Sequence, residues 1–274
     1  MSGIKTNEND DVAFIVPTMT HDYLLFFTNK GRVYSIKGYQ IPEASRIAKG
    51  LPLVNILQFQ EDETLAAITR IKSLDDDNSY LFFATKNGTV KRTVVSQFKN
   101  IRTSGIIAIN LAENDELLQV ELTDGTREIV LGASNGKAIR FNENDIRPIG
   151  RSAAGVRGME LPNNDKLVGM AVIKPEQNQI LVITEKGYGK RSDVEEYRLQ
   201  TRGGMGVKTL NVTDKNGKLV TLRSVSENND LIITTDKGVI IRMHVSDISQ
   251  TGRNTQGVIL IKLKDEQSIS SIAI

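Results

Sequence analysis

Apolar runs of four to seven residues, rich in Val, Ile, Leu and Phe, recur along almost the whole chain, each closing on a short polar turn that ends in glycine. Runs of that length bounded by Asn-Gly or Lys-Gly predict strands joined in hairpins, and Asn87-Gly88 and Asn135-Gly136 are the pairs that a type I′ turn demands. Helical periodicity is scarce, so the pattern predicts an all-β chain.

The runs repeat. "FFTNKGRVYSI", "FFATKNGTVKRT", "LGASNGKAIRF", "VITEKGYGKRS" and "ITTDKGVIIRM" align on Gly31, Gly88, Gly136, Gly187 and Gly238, spaced by 57, 48, 51 and 51 residues. A second glycine follows each by 17 to 19 residues, in "RIAKGLP" at Gly50, "RTSGIIAI" at Gly105, "RSAAGVRGM" at Gly155, "RGGMGVKT" at Gly206 and "RNTQGVIL" at Gly257. An apolar strand, an acidic or polar turn and another strand come next. Units of about 50 residues with some four strands each match the radial repeat of a propeller. "GIKTNENDDVAFIVP", from Gly3, shares its opening with "GVKTLNVTDKNGKLV", from Gly206. The expectation is therefore a single domain over residues 1–274, in which 1–20 are the remainder of a first blade and 21–274 hold five further repeats.

Composition narrows the chemistry. The 274 residues include no cysteine, which excludes disulfides and thiolate metal sites and suits a reducing cytoplasm. No apolar run reaches the length of a spanning helix, and the polar start has no signal-peptide core. His21 and His244 stand in different repeats beside strands, where a surface position is expected rather than a ligand role. The acidic clusters at 61–63 and 75–78 fall in turns and read as solvated loops. Nothing pairs an acid with a base, so no catalytic, metal or cofactor site is expected.

Charge is distributed by repeat. The five segments from first to second glycine hold 18 Lys or Arg against 7 Asp or Glu, a balance of +11, although the whole chain carries only +2. A radial array would gather these segments into one positive belt, which suits a polyanion bound through its backbone. The alternative is that basic residues merely solubilise exposed strand ends. With 14 Phe and Tyr and no Trp, stacking platforms for single strands are scarce, and duplex DNA fits better.

The glycine corner of "TRGGMG" could cradle a phosphate, yet five copies argue for a recurring backbone corner with positive φ. It is not a nucleotide-binding P-loop, since the Gly-Lys-Ser/Thr ending and the following helix are absent.

Across nearly its whole length the chain resembles the C-terminal DNA-wrapping domain of the DNA gyrase A subunit, carried by "FFTNKGRVYSIKGYQIPEASR", "ATKNGTVKRT", "ITEKGYGKR" and "SDISQTGRNTQGVILI". The resemblance implies a six-bladed β-pinwheel that bends duplex DNA around a basic rim and supports ATP-dependent negative supercoiling by the holoenzyme. It implies no chemistry and no cofactor in this domain. Partners implied are duplex DNA, the rest of the gyrase A subunit and the gyrase B subunit, with no membrane and a monomeric isolated domain in the bacterial cytoplasm. The family's glycine box reads Gln, basic, Arg, Gly, Gly, basic, Gly. Here Gln200, Arg202, Gly203, Gly204 and Gly206 form a degenerate copy with Thr201 and Met205 at the basic positions, and the full box is expected just before Gly3.

Candidate phosphate contacts are Arg46, Lys49, Lys91, Arg92, Arg102, Arg140, Arg151, Lys190, Arg191, Arg202, Lys208, Arg242 and Arg253. The alternatives are the C-terminal domain of the topoisomerase IV A-type subunit, which selects substrates more than it wraps, and a propeller-type protein-interaction module.

Overall fold

The computed structural model of the protein describes residues 13–45, 48, 50–264 and 267–274. In chain order the strands are β1 (Tyr23–Thr28), β2 (Arg32–Lys37), β3 (Leu65–Ile71), β4 (Tyr80–Thr85), β5 (Thr89–Val94), β6 (Ile106–Ile107), β7 (Leu117–Thr123), β8 (Glu128–Ala133), β9 (Lys137–Asn142) and β10 (Val156–Arg157). They continue as β11 (Leu167–Ile173), β12 (Gln179–Thr184), β13 (Tyr188–Asp193), β14 (Val207–Lys208), β15 (Leu219–Val225), β16 (Asp230–Thr235), β17 (Ile240–His244), β18 (Val258–Ile259) and β19 (Ile269–Ala273).

Each repeat supplies a hairpin, a 3-10 turn, and a longer strand that pairs antiparallel on the hairpin's inner side. From the second repeat onward it also gives a two-residue strand to the outer edge of the preceding hairpin. The sheets run β3-β1-β2-β6, β7-β4-β5-β10, β11-β8-β9-β14, β15-β12-β13-β18 and β19-β16-β17. This borrowing ties each blade to its neighbour by main-chain hydrogen bonds, as where Val207 and Lys208 pair with Ala138 and Lys137. The described residues form five blades of an all-β, propeller-like fold, not the six expected. Residues 1–12 of the expected first blade lie outside the described residues, and 13–20 form no strand.

The hairpins close differently from the expectation. A type I′ turn needs positive φ at both central residues, but neither Asn87 nor Asn135 has it, whereas Gly88 (φ 89°) and Gly136 (φ 78°) do. The Gly88 N–H donates to the Thr85 carbonyl (3.1 Å), which leaves a three-residue loop with glycine in the left-handed position. The Thr85 hydroxyl accepts from the Thr89 N–H (3.1 Å), and Thr28, Thr184 and Thr235 repeat the contact with Arg32, Tyr188 and Val239.

Alternation along each apolar run explains the core. Successive side chains point to opposite faces of a strand, and both faces of an interior blade are covered by the next sheet. Leu81 and Phe83 therefore pack with Leu25, Phe27 and Phe98 in one seam, while Phe82 and Ala84 pack with Ile129, Leu131 and Phe141 in the next. Further seams join Val130 to Ile180 and Val182, and Leu181 to Leu231 and Ile233. The outward face of the first blade, carrying Leu24, Phe26 and Tyr34, is covered by the loop that brings Leu53, Leu57 and Phe59. The inner strands and residues 13–15 surround an axial cleft of about 230 Å³ that holds Glu121, Lys174 and Arg223. Burial holds the Arg223 guanidinium below its ordinary range, with Glu121 opposing.

The acidic cluster at 61–63 is not simply a solvated loop. The Glu63 carboxylate is buried and accepts from the Tyr34 hydroxyl (2.6 Å), the Thr28 hydroxyl (3.0 Å) and the Gln60 N–H (2.8 Å), with Arg32 at 3.5 Å. Three donors converge because Tyr34 reaches out of its strand to this turn.

Candidate nucleic-acid interface

The hairpin position four residues past the turn glycine carries Arg92, Arg140, Arg191 and Arg242. The first three are buried, at 5, 8 and 7 % exposure. Each reaches into the 3-10 turn of the following repeat. Arg92 donates to Asn144 (2.8 Å) and faces the buried Glu143 (3.4 Å). Arg140 donates to the carbonyls of Val194 (2.9 Å) and Tyr197 (3.1 Å) and to Glu128 and Glu195. Arg191 donates to the carbonyls of Ile248 (2.7 Å) and Ser246 (3.3 Å) and to Gln179 and Glu227. Arg140 and Arg191 thus satisfy main-chain carbonyls of short turns, whereas Arg92 answers side chains of its turn.

One residue earlier, Lys91 and Lys190 are fully buried. The Lys91 ammonium donates to the carbonyls of Arg151 (2.5 Å) and Ala108, with those of Ala153 and Gly150 at 3.4 and 3.5 Å. Lys190 donates to the Gly252 carbonyl (2.6 Å). Burial, with Arg151 nearby, pulls the Lys91 pKa down to about 7. Burial pulls Lys190 down to about 8, where Glu196 opposes and Arg253 adds. The structure thus sets Lys91, Arg92, Arg140, Lys190 and Arg191 in the seams between blades rather than on the rim, because their donors answer the following repeat's carbonyls and carboxylates.

The corner arginines lie at the rim and form a second series. Arg151 donates to the Ile107 carbonyl, Arg202 to the Arg157 carbonyl (2.9 Å) and Arg253 to the Lys208 carbonyl (2.7 Å). In every case the acceptor is the second residue of the two-residue strand that the preceding repeat donates. All three guanidinium-bearing residues are half-buried. Arg102, the earlier member, is exposed and its side chain has no partner among the described residues. Lys208 is exposed and lies 3.2 Å from the Asn211 side-chain oxygen. Arg242 is exposed and pairs with Asp230 on its own hairpin. Arg46 and Lys49 lie outside the described residues.

The degenerate glycine box is a corner. Gly206 (φ 72°) turns the chain onto β9 so closely that a Cβ there would sit 2.3 Å from the Ala138 carbonyl oxygen. Gly203 also needs its positive φ of 85°, but Gly204 does not, and a Cβ on it would meet nothing nearer than 3.8 Å. The doubled glycine is therefore conformational at one member only. The Gln200 N–H donates to the Arg140 carbonyl (3.0 Å).

Sequence reasoning missed exposed cations that the repeat itself marks. Arg147 and Arg198 stand at one offset after Gly136 and Gly187, and Arg157 occupies the place of Lys208 two residues past the corner glycine. All three are exposed, and their side chains form no hydrogen bond or ion pair among the described residues. Aligning the candidates by offset from each glycine would have found them. His21 and His244 are exposed, with His244 beside Asp230 at 2.7 Å. Among the described residues no group of three or more His, Asp or Glu side chains could hold a metal ion, and no helix is long and apolar enough to cross a membrane.

Comparison with known proteins agrees with this geometry. The family described as the DNA gyrase C-terminal domain, a beta-propeller, matches residues 22–72, 79–124, 127–174, 178–226 and 229–274. The DNA gyrase A subunit of Staphylococcus epidermidis is 48% identical over the full chain, and that of Staphylococcus aureus is 47% identical. The chain spans 31% of the length of these relatives. Among solved structures, the C-terminal domain of DNA topoisomerase IV superposes with a TM-score of 0.84 at 30% identity, covering 92% of this chain and 79% of that one. A DNA gyrase A C-terminal domain superposes with 0.81 at 25% identity, covering 99% and 91%. With a family match over each of its five blades and gyrase relatives along its full length, this chain belongs to the DNA gyrase C-terminal domain family.

Proposed function

We propose that this chain binds duplex DNA through the phosphate backbone and bends it along the rim, without catalysing a reaction itself. The observation that carries the reading is the recurrence of an arginine just before the corner glycine in successive blades, four residues before it at Arg151, Arg202 and Arg253 and three before it at Arg102, joined by the exposed Arg147, Arg157, Arg198 and Lys208. A row of cations repeated blade by blade follows a curved path, and neutralising phosphates along it releases condensed counterions whatever the sequence. In the whole protein this domain would serve ATP-driven negative supercoiling in the bacterial cytoplasm, assembled with the gyrase B subunit.

A sixth blade is part of the proposal. By the borrowing rule, the segment after Gly50 should pair on the outer edge of a preceding hairpin, and the outer edge of β17 should receive a two-residue strand. Neither pairing exists among the described residues, and one more hairpin between the first and fifth blades would supply both.

Affinity for linear duplex should fall steeply with salt, with a log-log slope of about −0.9 per neutralised phosphate and near −5 for about six contacts. Equal affinity at two salt concentrations would reduce the rim to a solubilising surface. A topoisomerase IV type of domain, favoured by the superposition at 0.84, would bind with little wrapping. Ligating nicked circles in the presence of the protein separates the two: a positive linking-number shift supports wrapping, and an unchanged linking number supports substrate selection.

A further inference from the structure

We propose that Lys91 and Lys190, although buried, are positioning residues for the rim: each holds from inside the seam the loop that presents the next repeat's corner arginine, Arg151 or Arg253. The inference rests on the DNA-binding reading above and extends it to residues that touch no solvent.

In the first four repeats the position three residues past the hairpin glycine lies against the corner loop of the following repeat. Tyr34 lies against Gly105, where a Cβ would meet its ring at 2.7 Å. Lys91 gathers the carbonyls of Gly150, Arg151 and Ala153. Ile139 lies under Gly204, and Lys190 donates to Gly252. The site is thus a peg beneath the corner loop, apolar or aromatic in two repeats and cationic in two.

Only the cationic pegs bind the loop's main chain directly. In the Lys91 seam the Arg151 carbonyl is held from within, while the Arg151 guanidinium is held from the other side by the Ile107 carbonyl. In the Lys190 seam the Ser192 hydroxyl adds a bond to the Thr251 carbonyl (2.7 Å), and Arg253 is tied to the carbonyls of Lys208 and Glu196. A long side chain fixed at both ends loses little further freedom on meeting a phosphate. The charged groups facing these ammonium groups are Arg151 for Lys91, and Glu196 and Arg253 for Lys190. Phe83 lies beneath Lys91, its ring centroid 4.9 Å from the ammonium. Removal of either peg should release a corner arginine without removing its charge.

The test is a double-mutant cycle read by the salt dependence of binding to linear duplex, with circular dichroism confirming that each variant is folded. Arg151→Gln should flatten the log-log slope by about 0.9, one phosphate contact. Lys91→Met should flatten it equally although its side chain reaches no DNA, and the double variant should lose no more than either single one. Lys190→Met with Arg253→Gln repeats the cycle in the other seam, and Ile139→Met, with an apolar peg already, should leave the slope unchanged. Folded lysine variants with the wild-type slope would overturn the proposal, as would losses that simply add. Failure of both lysine variants to fold would overturn it too, by showing support of the whole fold rather than of one corner. A wild-type protein whose binding ignores salt would instead sink the DNA-binding reading itself.

Discussion

Arg191 and Arg242 occupy the same position of the same hairpin in adjacent blades, yet one is 7 % exposed and the other stands open to solvent. Arg191 has a following repeat whose 3-10 turn offers the carbonyls of Ser246 and Ile248. Arg242 has no following turn among the described residues and falls back on Asp230 of its own hairpin. The strands repeat the contrast: β13 is buried along four of its six residues, while β17 has none buried. The difference lies in the neighbour, since a strand with this composition is buried on both faces only when a second sheet and a donated edge strand arrive.

Four measurements probe that contrast, and the largest effect belongs to the apolar seam. Phe83 packs edge-on against Phe27 with ring centroids 5.6 Å apart and no exposure, so Phe83→Ala should cost about 3–5 kcal/mol in denaturant unfolding. Ile240, 45 % exposed at the open edge, should cost less than about 1 kcal/mol on the same change. A comparable loss at both sites would show that the fifth blade's edge is covered in solution. Next comes the arginine pair itself. Arg191→Met removes the donor to the buried Ile248 carbonyl and the partly buried Ser246 carbonyl and should cost about 2–3 kcal/mol, whereas Arg242→Met should stay within about 0.5 kcal/mol. Thermal unfolding of the two variants side by side reads this difference.

The corner glycines refine the same point within one loop. Gly206→Ala forces a left-handed alanine against the Ala138 carbonyl and should destabilise by about 2 kcal/mol. Gly204→Ala should remain within about 0.5 kcal/mol, because its φ is ordinary and its surroundings are open. Equal effects would mean that Gly204, like Gly206, is needed by the conformation of the corner.

The fourth measurement varies pH. Lys91 and Lys190 have folded pKa values of about 7 and about 8, below their ordinary 10.5, so the folded chain binds fewer protons than the unfolded chain between those limits. Stability from these groups should therefore rise as pH increases from about 7 towards 10.5. Lys91→Met should flatten that rise, and an unaltered profile in chemical denaturation would exclude Lys91 as its source.

Much of the fold was legible because each repeat states it locally. A run such as "LFFAT" before "KNGTVKRT" specifies a strand, a turn and a strand whatever surrounds them, and glycine spacing counts the units. The turn type was not legible from Asn-Gly alone, since the threonine three residues before the glycine accepts the N–H that completes the loop. The candidate interface was legible only in part. A basic residue in a basic segment looks alike on paper whether it faces solvent, as Arg102 does, or a carbonyl of the next repeat, as Arg140 does. Glu63 shows the converse, an acid in an acidic turn drawn inward by Tyr34.

By itself, then, the sequence determined the all-β repeat, the positions of its hairpins and corners, and the family, because these depend on short-range patterns of side-chain size, polarity and glycine. Only the tertiary structure decided which cations are pegs and which are rim. That choice depends on whether a donated strand and a 3-10 turn from roughly fifty residues away close over the side chain, and desolvation then requires the buried cation to find carbonyl and carboxylate partners.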